Sequence, residues 1–232
     1  MSKPRHIGIV AASPEGSSLC YREVNRCAIR LVGDTGHPRI TLHNEPLEDY
    51  LSAVERDDWH HVGELLARSA SALQACGAEF CIMPDNLLQH GVHMAEPRSP
   101  IPWLNMAELV AQQVAAAGHK TVGLIGTRQV MFGSTYQTLL GIRGVKVIAP
   151  EAADAEMFNA IIFGELVHGE VTAASQTKWV QAIGRLQARG ADGVILGCTE
   201  APLLIGAAQS PLPVYDSTAI LAEAAARHAL RL

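Results

Sequence analysis

The chain nearly repeats itself, and the repeat constrains the fold more than any other feature. The run Ala75-Cys76-Gly77-Ala78-Glu79-Phe80-Cys81-Ile82-Met83-Pro84-Asp85-Asn86 lines up with Ala188-Arg189-Gly190-Ala191-Asp192-Gly193-Val194-Ile195-Leu196-Gly197-Cys198-Thr199 at a constant offset of 113 residues. Before it, Ile7-Gly8-Ile9-Val10-Ala11-Ala12 matches Val122-Gly123-Leu124-Ile125-Gly126-Thr127. After it, Ser99-Pro100-Ile101-Pro102 matches Ser210-Pro211-Leu212-Pro213. Three landmarks in the same order predict two homologous halves, each one α/β unit. The expected division is residues 1–108 and 109–216, related by a pseudo-two-fold axis. By the same symmetry the closing helix at 217–232 is expected to pack back on the first half.

The repeat also gives the chain its chemistry. Residues 193–196 read as a short buried strand that breaks at Gly197 into the start of a helix. Cys198 sits on the break, where helix N-terminal N–H groups favour thiolate. Thr199 and Glu200 follow in the expected first turn, where a hydroxyl and open N–H groups can hold a carboxylate. In the first half Asp85 occupies the position of Cys198. If the halves face each other, the two side chains approach one cleft from opposite sides. Locally, each also has an ordinary reading: a buried small hydrophobe for Cys198 and a helix N-cap for Asp85.

Composition narrows the function classes. A net charge of -5 with no basic run argues against nucleic acid. No apolar stretch approaches the roughly 20 residues that span a bilayer. The segment Met1-Ser2-Lys3-Pro4-Arg5 carries no signal-peptide pattern. Five cysteines at irregular spacing suit reduced thiols, so a cytoplasmic location is expected. His90 and His93 lack a third ligand at zinc-like spacing, and neither dinucleotide nor P-loop glycine patterns occur. No metal or cofactor is expected.

Along the chain, strands are expected at 6–11, 39–43, 80–83, 101–105, 120–125, 145–150, 193–196 and near Val214. Helices are expected at 19–31, 59–76, 106–117, 134–140, 155–167, 173–189 and 217–230. Residues 12–18 read as a loop after the first strand. Loops at the carboxyl ends of parallel strands build ligand sites, which makes Ser13, Ser17 and Ser18 candidate donors to a carboxylate. The Gly126-Thr127 turn offers backbone N–H and a hydroxyl in the same way.

These residues resemble the aspartate/glutamate racemase superfamily, which includes aspartate, glutamate and hydantoin racemases, maleate isomerase and arylmalonate decarboxylase. Gly197-Cys198-Thr199-Glu200 with Pro202-Leu203-Leu204 looks like its second catalytic motif, and 122–127 like its mid-chain strand and turn. The resemblance implies two parallel-sheet α/β domains with the active site in the interdomain cleft, and a homodimer. It implies cofactor-independent racemisation or epimerisation of an amino acid: one group removes the Cα proton and another returns a proton on the opposite face. Cys198 matches one catalytic cysteine. Asn86 and Thr199 match polar residues that hold the α-carboxylate, Thr127 matches a turn donor, and Ser13 lies in the matching first loop.

This chain departs from the family pattern at two places. Asp85 stands where the first cysteine is normal, and Leu87 removes a threonine hydroxyl. Arg39 and Arg128 are candidates for a distal substrate carboxylate by position alone. The alternative reading is therefore a one-cysteine decarboxylase, lyase or cis–trans isomerase, in which Cys198 acts and Asp85 positions the substrate. A non-catalytic binder of small acids on the same fold is the third reading.

Overall fold

In the computed structural model, which describes residues 3–33 and 36–232, the chain forms two α/β units. Met1 and Ser2 of the N-terminal segment lie outside the described residues. One unit comprises residues up to Met106 together with Thr218–Leu232; the other is Ala107–Ser217.

The first unit is a four-stranded parallel sheet in the order β2-β1-β3-β4. Its strands are β1 (Ile7–Ala11), β2 (Ile40–Asn44), β3 (Phe80–Ile82) and β4 (Trp103–Leu104). Central β1 and β3 are buried throughout, as apolar strands covered by helices on both faces must be; edge strand β2 is half-exposed. The helices are α1 (Pro14–Val32), α2 (Leu47–Glu55), α3 (Trp59–Ala75) and α4 (Gln89–Ala95). Val10, Tyr50, Leu66, Leu73, Cys81 and Met83 share one core.

The second unit repeats that order as β6-β5-β7-β8, again all parallel. It holds α5 (Met106–Ala116), β5 (Thr121–Gly126), α6 (Arg128–Phe132), α7 (Ser134–Gly141), β6 (Lys146–Ile148), α8 (Ala152–Gly164), α9 (Ala173–Ala188), β7 (Gly193–Gly197), α10 (Ala201–Leu204) and β8 (Val214–Asp216). Its core gathers Ile125, Ile183, Leu186 and Leu196 around Phe158 and Trp179, whose rings meet edge to face at 4.9 Å. The last helix, α11 (Ser217–Leu230), belongs to the first unit from Thr218 on, where Ala229 O accepts from Arg5 N at 2.8 Å and the His228 ring meets Phe80 edge to face.

The sequence repeat is a repeat of strand register. Ile7 pairs with Phe80 as Val122 pairs with Gly193, and Cys81 pairs with Trp103 as Val194 pairs with Val214. The matched Ser-Pro-x-Pro segments fold alike: Ser99 Oγ donates to Ile101 O at 2.6 Å and Ser210 Oγ to Leu212 O at 2.7 Å. Gly77 and Gly190 end the helices before β3 and β7 at φ +90° and +95°, a backbone conformation that favours glycine. Even the carboxylates that follow them correspond. Glu79 Oε1 accepts from His6 N at 3.0 Å, and Asp192 Oδ1 accepts from Thr121 N at 3.3 Å. Each ties the start of one central strand to the start of its neighbour.

The structure corrects several expected elements. Residues 14–18 are the first turn of α1, not loop: Ser13 Oγ accepts from Gly16 N at 3.0 Å, and Pro14 sits where its missing N–H costs nothing. The polar stretch after β2 contains α2, whose buried Tyr50, Ala53 and Val54 recur at helical spacing. Helix α6 is too short to produce a periodic signal. Helix α8 begins at Ala152 and ends at Gly164, three residues ahead of the expected span at both ends.

Candidate active site

Each candidate residue stands at the carboxyl end of a central strand of its own sheet. In a parallel sheet all strands end on one edge, so neighbours in the sheet deliver their following residues side by side.

In the first unit, β1 delivers Ser13 and β3 delivers Asp85 and Asn86. Ser13 and Asn86 are buried, while Asp85 is half-exposed. Ser13 caps α1 through its hydroxyl oxygen. Asp85 Oδ1 accepts from Leu87 N at 2.9 Å and Leu88 N at 3.3 Å, closing the turn that leads to α4. Both donors engage the same carboxylate oxygen. Gln89, fully buried, fixes the turn from below: its Nε2 donates to Met83 O and Asp85 O, each at 2.9 Å. Sequence reading passed over Gln89, although a buried glutamine four residues after a turn is a plausible brace for it.

In the second unit, β5 and β7 lie side by side with Gly126 opposite Gly197. A Cβ on Gly126 would stand 2.4 Å from Gly197 O, so only glycine lets the two strand ends close together. They carry Thr127 and Cys198 to adjacent positions on the sheet edge. Thr127 is 8% exposed, and its Oγ1 has no hydrogen-bond partner among the described residues. A buried hydroxyl in that condition favours an incoming acceptor.

Cys198, Thr199 and Glu200 form a turn, and all three are buried. This corrects the expected placement: Thr199 and Glu200 precede the helix rather than open it, and α10 has only four residues. The field of a long helix therefore does not act on the sulfur. Instead the Cys198 thiol donates to Glu200 Oε2 at 3.2 Å. Adjacent β8 contributes Ser217, fully buried, whose hydroxyl donates to Leu196 O at 2.8 Å and holds the end of β7.

Of the two arginines considered for a distal carboxylate, one stands at the wrong edge of its sheet and the other is paired. Arg39 precedes β2 at the amino edge of its sheet, where its carbonyl accepts from Ile7 N. Arg128 lies at the carboxyl edge, but its guanidinium pairs with Glu156 on α8 and its N–H donates to Asn159 Oδ1 at 3.0 Å. Cys20, Cys27 and Cys81 are buried, the first two on α1 and the third inside β3. Burial pushes the Cys81 thiol up to about 12, and it also pushes the Cys27 thiol up, to about 11. Neither suits a nucleophile or a base. Among the described residues no group of three His, Cys, Asp or Glu is arranged to hold a metal, and no helix is long and apolar enough to cross a membrane.

Comparison with known proteins bears on the family and the fold. The Asp/Glu/hydantoin racemase family model matches residues 9–225. The chain is 24% identical over 221 residues to the broad specificity amino-acid racemase RacX of Bacillus subtilis, covering 94% of this chain and 95% of that one. Among solved structures, a candidate Asp/Glu racemase from Yersinia pestis superposes with a TM-score of 0.87 at 31% identity, covering 97% of this chain and 99% of that one. An aspartate racemase homologue from Pyrococcus horikoshii OT3 superposes with a TM-score of 0.84 at 25% identity, covering 99% and 100%. With its paired four-stranded parallel sheets and a Gly-Cys-Thr-Glu turn at the end of β7, the chain belongs to the Asp/Glu/hydantoin racemase family.

Proposed function

We propose that the protein is a cofactor-independent amino-acid racemase or epimerase that transfers a proton at Cα, with Cys198 and Asp85 as the two acid/base groups. The observation that carries the reading is the Cys198–Glu200 hydrogen bond at a strand end. The bond gives the thiol proton an acceptor just past the end of β7, on the edge where parallel sheets take ligands. Thr127 and Thr199 then supply donors for the substrate α-carboxylate, with Ser13 and Asn86 delivered from the other sheet. Charge that develops on the carboxylate as Cα loses its proton is stabilised by such fixed donors. The reading requires Asp85 and Cys198 to reach one carbon. It also requires no organic cofactor, since the two side chains hold and move the proton.

A second reading has its own observation. Asp85 Oδ1 is engaged by two N–H groups, which suits a fixed positioning group as well as it suits a base. In that case Cys198 alone delivers a proton to one face, and the reaction is a decarboxylation, an elimination or a cis–trans isomerisation.

Proton NMR in deuterated water tests both. Loss of the Cα–H signal from an L- or D-amino acid, dependent on Cys198, supports proton transfer at Cα, and chiral separation then shows racemisation. Absence of exchange across a broad panel of amino acids rejects the racemase reading. A single product formed from an α-substituted or unsaturated acid, abolished by Cys198→Ala and retained by Asp85→Asn, supports the second.

A further inference from the structure

We infer that Gln89 and Ser217 are positioning residues. Each bonds the backbone carbonyl two residues ahead of an acid/base group and so aims that group: Gln89 for Asp85, Ser217 for Cys198. The inference rests on the racemase reading and adds two residues to the machinery of that same site.

The repeat supplies the comparison. At the constant offset of 113 residues, Met83 corresponds to Leu196 and Asp85 to Cys198. Met83 O accepts from Gln89 Nε2 at 2.9 Å, and Leu196 O accepts from the Ser217 hydroxyl at 2.8 Å. Both donors are fully buried. They are not repeats of each other. Gln89 opens α4, and its counterpart at the same offset is Pro202, whose side chain has no donor. Ser217 follows β8, the strand beside β7. The two units thus bond the same carbonyl with unrelated residues, drawn from different elements.

The chemistry of Gln89 points the same way. Met83 O and Asp85 O both accept from it, so the nitrogen end of the amide faces them and both its hydrogens are used. The other end, Oε1, is buried and has no hydrogen-bond partner among the described residues. A buried acceptor without a donor is unfavourable. Leucine or methionine would fill the space without that cost, but would leave both carbonyls without this donor. Glutamine spans the two from one atom and brings no charge.

The bonds restrain a different joint in each unit. In the first, Pro84 has its own φ fixed by its ring, and Gln89 holds the carbonyls on either side of it. The backbone that carries the Asp85 side chain is therefore pinned at both ends. In the second, Gly197 separates the bonded carbonyl from Cys198, and glycine has the widest backbone freedom. Ser217 fixes the peptide just ahead of that joint. Proton transfer needs near-attack geometry, and a displacement of about 1 Å costs on the order of a hundredfold.

The test is Cα–H exchange and racemisation by the full chain, with the fastest of L- and D-alanine, methionine, lysine, aspartate and glutamate carried into steady-state kinetics. Gln89→Met keeps the length and removes both donated bonds. Ser217→Ala removes the hydroxyl, and Ser217→Thr retains it. Ser99→Ala and Ser210→Ala are controls: these hydroxyls also bond carbonyls, of Ile101 and Leu212, but ahead of the starts of β4 and β8. Each variant is assayed well below its own Tm. Gln89→Met and Ser217→Ala are each expected to lower kcat at least about tenfold with KM within about threefold. Ser217→Thr should recover most of the loss, and the controls should keep kcat whatever they lose in Tm. If Gln89→Met does not fold, Gln89→Asn takes its place with the same expected loss, its amide one methylene too short to span both carbonyls. A kcat within about twofold of wild type in either folded variant would assign these bonds to stability alone and overturn the inference. A rise in KM with kcat spared, or an equal fall of kcat in the controls, overturns it too. Those outcomes leave the racemase reading standing, because the wild-type protein still exchanges. Absence of Cys198-dependent exchange by the wild-type protein across all ten compounds would overturn both.

Discussion

The Cys198 sulfur lies 3.2 Å from Glu200 Oε2, two residues on in the same buried turn. The distance gives Glu200 a partner in the thiol. We expect Glu200→Gln, which keeps size and shape, to lower kcat by about a hundredfold, in the range general acid–base partners contribute. KM should stay within about twofold. If Glu200 held the substrate instead, KM would rise and kcat would be spared. Steady-state exchange kinetics of the variant separate the two.

Asp85 combines two roles that conservative substitution can divide. Its Oδ1 closes the turn before α4, and its carboxyl group is the proposed second acid/base. Asparagine preserves the acceptor and removes the titration; alanine removes both. Asp85→Asn is expected to abolish racemisation with Tm almost unchanged. Asp85→Ala is expected to abolish it and also to cost about 1 kcal/mol, the usual loss for a capping side chain. In a chain of this size that is a fall of roughly 2–4 °C in Tm. Full racemisation by Asp85→Asn would sink the two-base reading.

The halves were legible because a parallel sheet buried on both faces writes its strands as unbroken apolar runs, and β1, β3, β5 and β7 are those runs. Gly77 and Gly190, needed for the turns before β3 and β7, fixed the alignment between them. Edge strand β6 and the two-residue β4 were blurred at their ends, since half-exposed residues carry a weaker pattern. Ser13-Pro14-Glu15 was a readable helix start, but Gly16-Ser17-Ser18 obscured it: small polar residues form loops when exposed, and here Gly16 and Ser17 are buried against the fold. The positions of Cys198 and Asp85 on strand ends could be read directly. Their partners could not. Nothing in the spacing says that Glu200 turns toward the sulfur or that Arg128 turns toward Glu156, because those choices belong to side-chain packing.

The carboxylates that join strand starts make a stability prediction. Asp192 accepts from Lys120 N at 2.9 Å, from Thr121 N at 3.3 Å and from the His119 ring at 3.0 Å. Burial by itself would raise its pKa. The two N–H donors and His119 outweigh that and hold the carboxyl below its ordinary value of 3.8. The folded state thus binds fewer protons than the unfolded chain, so the contribution is complete above about pH 4 and is lost as pH falls through the folded pKa. Because Asp192 is nearly half-exposed, the contribution is discounted to about 1 kcal/mol or less. Asp192→Asn should lower Tm by a few degrees at pH 7 and by progressively less below pH 4. A difference constant with pH would show that charge plays no part.

Histidine adds a second acid-side loss, at higher pH. His228 on α11 receives a hydrogen bond from Arg5 at 2.7 Å, so its Nε2 is the acceptor and the ring is neutral. Burial, and then the Arg5 charge, hold its pKa below the ordinary 6.5. His6, 5% exposed at the start of β1, is lowered by burial and then by Arg39. Between the folded and unfolded pKa values the unfolded chain binds more protons than the folded one, so stability falls as pH drops from about 6.5 through that window and is complete above it. The consequence is local. Protonated His228 would face the Arg5 guanidinium, and the bond that helps hold α11 against the first unit would lose its acceptor. Tm should be level between pH 8 and 7 and decline below about 6.5. His228→Gln offers Arg5 an amide oxygen that does not titrate, so it should keep most of the stability at pH 7.5 and flatten the decline toward pH 5.5. A decline of unchanged slope in His228→Gln would move the acid sensitivity to His6, and His6→Gln in the same series would then flatten it.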